Sequence, residues 1–473
     1  VLDHLWHRLK IDQIVGRVGQ PKRGRRRDMT ATERVLLALV ANRALAPSSK
    51  LAAAEWITND AHIDQLAETG EQPCYRAMDW LHEATGDLEK QVFDEVATLL
   101  NLEVDLLLFD TTSTYFELEE PDEPVARDEA DDGENAAGFR TYGKSKDARD
   151  DLPQIVIGMA VTRDGIPVRC WCRPGNASDQ TLIRQVKDDM RDWTLSKIVW
   201  VADRGFSSER NRRYLRQGDH AYIIGEKLRS GSPEVRAALS RQGRYTEIAE
   251  NMRVKEVRIS DTERFVICHN PETAARDQHT RTQLITQLQE LIENTDKLSD
   301  FKRGELRGKT ADKPGLNRYL RTTPAGKLRI DHAKVKNEEN LDGKYLLRCS
   351  DPHLSAEDIA LGYKQLLEVE RGWRDMKQII DLRPVYHRLE ERIRAHVVLC
   401  WLALLLIRIA ETTTGGTWPG IRRELQRIHL GTFTGPAGTS QQVTALTKPQ
   451  RDLLAKLQIP APKQVVTLQP APR

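Results

Sequence analysis

Val104-Asp105-Leu106-Leu107-Leu108-Phe109-Asp110, continued by Thr111-Thr112-Ser113-Thr114-Tyr115-Phe116, is the stretch whose reading decides the fold. Upstream of it apolar residues recur at helical spacing. From Glu103 the pattern becomes a short continuous apolar run, as in a buried strand that delivers a carboxylate at its end. A second run, Lys197-Ile198-Val199-Trp200-Val201-Ala202, also stops at a carboxylate, Asp203. Between the two runs, residues 154–161 and 166–171 read as strands hinged at Arg163-Asp164-Gly165, where Asp-Gly is a hairpin signal. The turn Gly175-Asn176-Ala177-Ser178-Asp179 then caps an amphipathic helix over 180–191. With another strand at 221–225, this order predicts an α/β fold, a mixed sheet with flanking helices.

Residues 1–102 read as an all-helical domain, with apolar periodicity over 36–45, 51–57, 75–82 and 88–100 and a capping box at Thr30 and Glu33. The α/β core is expected over 103–226 and again over 350–411. An α+β insertion over 227–349, holding a strand pair (253–259 and 264–269) and a long helix (276–292), is expected to fold on its own. Residues 412–473 read as two helices (418–428 and 447–459) and a loose tail from Pro460.

At 473 residues the chain is long enough for several units with large cores. Its charged fraction of 30% nearly cancels to a net charge of +2, so the information lies in local blocks. Residues 117–134 carry ten acidic residues to one basic and read as a loop. Two basic blocks stand against it: Pro21-Lys22-Arg23-Gly24-Arg25-Arg26-Arg27, and the cluster Arg140, Lys144, Lys146 and Arg149. Of these, Arg25, Arg26, Arg27, Lys144, Lys146 and Arg149 are candidate contacts to nucleic-acid phosphates. Six cysteines without a CxxC or a Cys/His zinc spacing argue against a disulfide framework or a zinc cluster and fit a reducing cytoplasm. The longest apolar run, 397–407, is too short to span a bilayer and reads as a buried core helix, so no membrane is expected. The sequence begins at Val1 rather than Met, and a start further upstream is open.

The third carboxylate comes from Tyr363 to Lys377, YKQLLEVERGWRDMK. On one continuous helix Tyr363, Leu366, Glu370, Arg374 and Lys377 share a stripe, while Glu368 points elsewhere with Lys364, Arg371 and Asp375. Ser355 is the expected cap, and Arg383-Pro384 the stop. Two strand-borne aspartates and a helical glutamate in a basic setting repel one another unless cations neutralise them. Hard oxygen ligands favour a pair of Mg²⁺ or Mn²⁺ ions over zinc.

These residues resemble the DDE transposases of bacterial insertion sequences, whose RNase H-like catalytic core is interrupted by an insertion. Asp110 in LLLFDTTSTYFE is similar to the first catalytic Asp, Asp203 in VADRGF to the second, and Glu370 to the Glu. One branch of the family carries a Y-(2)-R-(3)-E-(6)-K helix; Tyr363, Glu370 and Lys377 stand at those spacings, with Leu366 at the Arg position and Arg374 on the same face as its substitute. The segments GKSKDARDDLPQ, GNASD and RPVYH extend the similarity over roughly residues 104–410.

The resemblance implies metal-dependent hydrolysis at the ends of an insertion sequence, followed by attack of the freed 3′-hydroxyl on target DNA. It further implies Asp110, Asp203 and Glu370 as metal ligands, DNA contacts from Tyr363, Arg374 and Lys377, and double-stranded DNA partners (terminal inverted repeats and target). A homodimer in the DNA complex and a place in the bacterial cytoplasm, at the nucleoid, follow in the same way. Residues 227–349 lack a Trp that would stack on a hairpin intermediate, so no hairpin is predicted. Two other functions compete. An aspartyl-phosphate-type phosphohydrolase would need a second Asp two residues after Asp110, where Thr112 stands. A transposase-derived DNA-binding protein without catalysis would not need all three carboxylates, and all three are present.

Overall fold

The computed structural model describes residues 1–473 except 67, 101, 103–104, 126–136, 192, 194–196, 230, 260–263 and 471–473. Much of the acidic segment, and Val104 at the head of the first strand run, thus lie outside the described residues.

Helices α1 (Leu2–Arg8), α2 (Ile11–Val18), α3 (Thr30–Leu45), α4 (Lys50–Asn59) and α5 (Glu71–Leu100) open the chain. Strands β1 (Leu106–Tyr115), β2 (Gln154–Thr162) and β3 (Pro167–Pro174) lead to α6 (Asp179–Asp189), β4 (Val199–Ala202), α7 (Glu209–Leu215) and β5 (Ala221–Glu226). Next come α8 (Pro233–Ser240), β6 (Thr246–Ala249), β7 (Met252–Arg258), β8 (Arg264–His269), α9 (Pro271–Ile292), α10 (Asp300–Ala311) and α11 (Pro314–Asn317). They are followed by β9 (Leu320–Thr322), β10 (Leu328–Ile330), α12 (His332–Glu339), β11 (Lys344–Cys349), α13 (Ala356–Lys364), α14 (Leu366–Gln378) and α15 (Glu390–Thr414). The chain closes with α16 (Trp418–Leu425), β12 (Leu430–Gly435), β13 (Gly438–Val443), α17 (Lys448–Lys456) and β14 (Val465–Pro470). The mixed α/β architecture is the one the sequence implied. These elements form two units, Val1–Ile198 with Gln365–Arg473, and Val199–Lys364.

In the first unit β1, β2 and β3 form an antiparallel meander, with the expected Asp164-Gly165 turn between β2 and β3. Gly165 takes φ +75°, a conformation side chains disfavour. Every residue of β2 is buried, so the meander is covered on both faces. Helix α15 supplies much of that cover. It is apolar and long enough to cross a bilayer, yet it lies buried against α3, α5 and β3. Helix α5 runs unbroken through Gly86, joining the two expected helical patches at 75–82 and 88–100.

The N-terminal cap differs from the predicted box. Asp28 accepts from the Thr30 amide at 3.0 Å and its hydroxyl at 2.7 Å, while Glu33 is buried, accepting from Trp6 Nε1 at 2.7 Å and pairing with Arg34. The C-terminal region also holds more order than the predicted loose tail. Strands β12, β13 and β14 pair as an antiparallel sheet whose last strand lies within it.

The second unit has the strand order β4-β5-β11-β8-β7-β6, with β4 and β5 parallel and the remaining pairs antiparallel. After β5 the chain builds β6, β7 and β8 at the far edge of the sheet and later inserts β11 between β5 and β8. Strands β8 and β7 continue the same sheet through β11, so the strand pair expected in a separately folding insertion extends the core instead. A small core of its own does form farther on, where Leu288 of α9 meets Leu316, Tyr319, Leu320, Leu328 and Ile330. Helix α13 packs on β7, β8 and β11, and Ser355 caps it as read, accepting from the Asp358 amide at 3.0 Å.

Candidate active site

Asp110 lies in the middle of β1, not at its end. The strand continues to Tyr115 because Thr111–Thr114 are buried and pair with Gly158–Ile155 of β2. Directly paired residues share a sheet face, so Asp110 shares one with Met159. The Met159 methyl would lie 2.6 Å from a Cβ on Gly372, so α14 approaches the sheet on the face that carries Asp110. A buried Arg408 on α15 fixes that helix, pairing with Asp375 at 2.6 Å and Glu411 at 2.6 Å, while Arg371 donates to Glu411 at 2.9 Å.

The single helix expected from Tyr363 to Lys377 is interrupted at Gln365, where the Glu368 amide bonds back only three residues. The predicted stripe therefore divides between α13 and α14. On α14, Glu370 and Arg374 are exposed, and neither makes a hydrogen bond or ion pair with a described residue. Glu368, expected to face solvent, is the half-buried one. Its carboxylate lies against the space left by Gly165, and Arg371 stands 3.7 Å away.

Lys146 is the hub beside Asp110. Its amide donates to Ser113 Oγ at 2.8 Å and its ammonium to the Thr111 carbonyl at 2.8 Å and to the Thr111 hydroxyl. The same nitrogen stands 3.4 Å from Asp179 and 3.8 Å from Asp110. Thr111 Oγ1 in turn donates to Asp179 at 2.7 Å. One cation thus sits in a nest made only of oxygens, two of them from carboxylates, which is the donor set hard divalent ions prefer. In the sequence Asp179 belongs only to a helix cap, and nothing local marks its carboxylate as a neighbour of Asp110.

Next to Lys146, Asp147 accepts from Lys377 at 2.9 Å and from Arg383 at 3.0 Å. Arg383, in the RPVYH segment, was not singled out by sequence. Its guanidinium lies 4.7 Å over the Tyr115 ring, and Arg149, tied to Asp151 at 2.9 Å, lies 5.1 Å over the same ring. Lys144 is exposed, and so is the whole run 22–28, which includes Arg25, Arg26 and Arg27.

In the second unit Asp203 follows β4 as read, exposed at the start of a 3₁₀ turn. Tyr363, expected to meet DNA, donates its hydroxyl to Asp203 Oδ1 at 3.0 Å. Gly225 on β5 makes room for it, since a Cβ there would stand 2.4 Å from that hydroxyl. Tyr345 stacks on the Tyr363 ring at 6.0 Å and steadies it. Within either unit, no three His, Cys, Asp or Glu side chains among the described residues converge as a metal site. The buried thiols are not nucleophiles at neutral pH: burial pushes Cys74 and Cys400 up to about 11 and Cys268 up to about 12.

Residues 125–406, more than half of the chain, match the family described as "Transposase DDE domain". The match begins downstream of Asp110. No curated protein matches the sequence. Among solved structures, the chain is similar to the piggyBac transposase in its synaptic complex with hairpin DNA, at 10% identity and a TM-score of 0.38, over 88% of this chain and 75% of that one.

Proposed function

Because the chain belongs to the DDE transposase domain family, we propose that it cuts DNA at the ends of a bacterial insertion sequence and joins those ends to target DNA. In this reading Asp110, Asp203 and Glu370 are the reacting carboxylates. The observation that carries it is the oxygen nest at Asp110: the residues there already hold one cation, and their donor chemistry fits Mg²⁺ or Mn²⁺. When bound, such ions supply Lewis-acid stabilisation of the charge that develops on a phosphodiester.

The chain's own residues do the rest. Lys146 stands between the Asp110 and Asp179 carboxylates, 3.8 Å from one and 3.4 Å from the other, and offsets their mutual repulsion. Tyr363 orients Asp203 by its hydrogen bond. Glu370 has no competing partner among the described residues, on a helix anchored by Arg408. Arg374, Lys377, Lys144 and Arg149 lie within reach of a DNA backbone on this reading, and Arg25, Arg26 and Arg27 extend the contact from the helical region at 1–102. Joining two ends calls for a dimer on DNA, at the nucleoid in a bacterial cytoplasm.

Nicking of a plasmid carrying the flanked coding region, with Mg²⁺ or Mn²⁺, tests the assignment. Asp110→Asn, Asp203→Asn and Glu370→Gln should each lower the rate by about 100-fold or more, as loss of a transition-state stabiliser does. Full activity in any one variant removes that residue from the site, and an inactive wild type that still binds the DNA favours the non-catalytic reading.

A further inference from the structure

Asp147 is held by two cations and little else. Lys377 reaches one carboxylate oxygen from the last turn of α14 and Arg383 reaches the other from the segment behind it. Both are partly buried, with side-chain exposures of 18% and 26%, so each gives up some hydration to sit there. The Tyr115 ring backs the Arg383 guanidinium and fixes its plane. A compact ammonium beside a planar guanidinium is a pairing suited to the oxygens of a phosphate. Lys377 also lies about two helical turns from Glu370 on the same helix.

We propose that Lys377 and Arg383 form a subsite for a phosphate of the DNA backbone, and that Asp147 occupies this subsite in the DNA-free protein. Binding then exchanges one singly charged anion for another: the carboxylate swings out and a phosphodiester takes its two donors. The inference rests on α14 as the helix that faces DNA and goes beyond it, giving Arg383 a role in DNA binding and making Asp147 an internal competitor of the substrate. The neighbouring Lys146 holds the oxygen nest, so the segment 146–147 fills both a cation position and an anion position of the same region.

Binding of a labelled duplex of arbitrary sequence, without divalent metal and across a salt series, reads this directly. Asp147→Asn, which keeps the shape and removes the charge, should tighten binding roughly five-fold at low salt, whereas Lys377→Met and Arg383→Met should weaken it and flatten the log–log salt slope by about 0.9 each. In the Lys377→Met/Arg383→Met background, Asp147→Asn should change nothing.

Equal or weaker binding by Asp147→Asn overturns the proposal and makes Asp147 a strut that positions Lys377. Thermal melts check that the variants fold. A measurement on the wild-type protein stands apart from them: acetylation of Lys377 should slow when DNA is added, and an unchanged rate also overturns the proposal. Neither readout involves cleavage, so a nicking-competent Asp110→Asn protein would refute the catalytic assignment while leaving the subsite intact.

Discussion

Lys50 shows at the scale of one residue how the helical region is held together against a cost. It is the first residue of α4, 3% exposed, and makes no hydrogen bond or ion pair with a described residue. Arg43 from α3, His387 and His396 stand around it with the thiols Cys74 and Cys400, and among the described residues no carboxylate acts on it. Burial, helped by Arg43, lowers its ammonium from 10.5 to about 7, and burial likewise drives His387 down to about 3.

Between pH 7 and 10.5 the unfolded lysine holds a proton that the folded one has released, so stability rises with pH across that window and is lowest below pH 7, where a charge must be buried. The full span is on the order of 4–5 kcal/mol. Lys50→Met should raise the thermal midpoint at pH 6 to 7 and flatten its dependence up to pH 10. If wild type and variant show parallel profiles, Lys50 is not buried as a charge. Nothing in the local sequence marks Lys50 for burial, because His387, His396 and Cys400, which help enclose it, lie more than three hundred residues downstream.

Among elements, the informative pair is α13 and β5. Gly225 lacks a side chain where the Tyr363 hydroxyl passes, and that hydroxyl is bonded to Asp203. Gly225→Ala should therefore leave the sheet folded but push Tyr363 off Asp203. Both it and Tyr363→Phe should lower nicking by about 10-fold, as loss of a partner that orients a ligand does. A thermal midpoint close to wild type in both, with the rate loss shared, identifies the hydrogen bond as the cause; undiminished nicking in Tyr363→Phe rules it out.

Element type was legible wherever periodicity was strong. The strand carrying Asp110, the run ending in Asp203, the Asp-Gly hairpin, the Ser355 cap and the buried helix at 397–407 all form as elements of the kind the pattern indicates. What failed were boundaries set by partners. β1 runs past Asp110 because β2 offers a matching register, and α13 and α14 separate at Gln365, which no proline or N-cap side chain marks as a break. β14 forms in a tail with proline on both sides because β13 pairs with it.

Across the whole molecule, Asp110, Asp203 and Glu370 stand out in the sequence because each sits in a local motif, while the groups found beside Asp110 and on α14 do not. Asp179 meets Thr111 across 68 residues, and Asp147 meets Lys377 and Arg383 across 230 and 236. Contacts at such separations leave no periodic trace. Charge, by contrast, was legible as blocks, and the block at 21–27 lends itself to a test of how the whole chain meets DNA. Arg25, Arg26 and Arg27 are exposed in a loop between α2 and α3, and none is in an ion pair with a described residue. Their charge is therefore available to a polyanion rather than spent on a neighbour. Replacing all three by Ala should weaken binding to duplex DNA at low salt and make the log–log salt slope shallower by about 0.9 for each arginine that meets a phosphate. The loss should be uniform across DNA sequences, since phosphate contacts carry no base information. A loss confined to one sequence would place these arginines on base edges instead, and an unchanged slope would take the loop out of the interface.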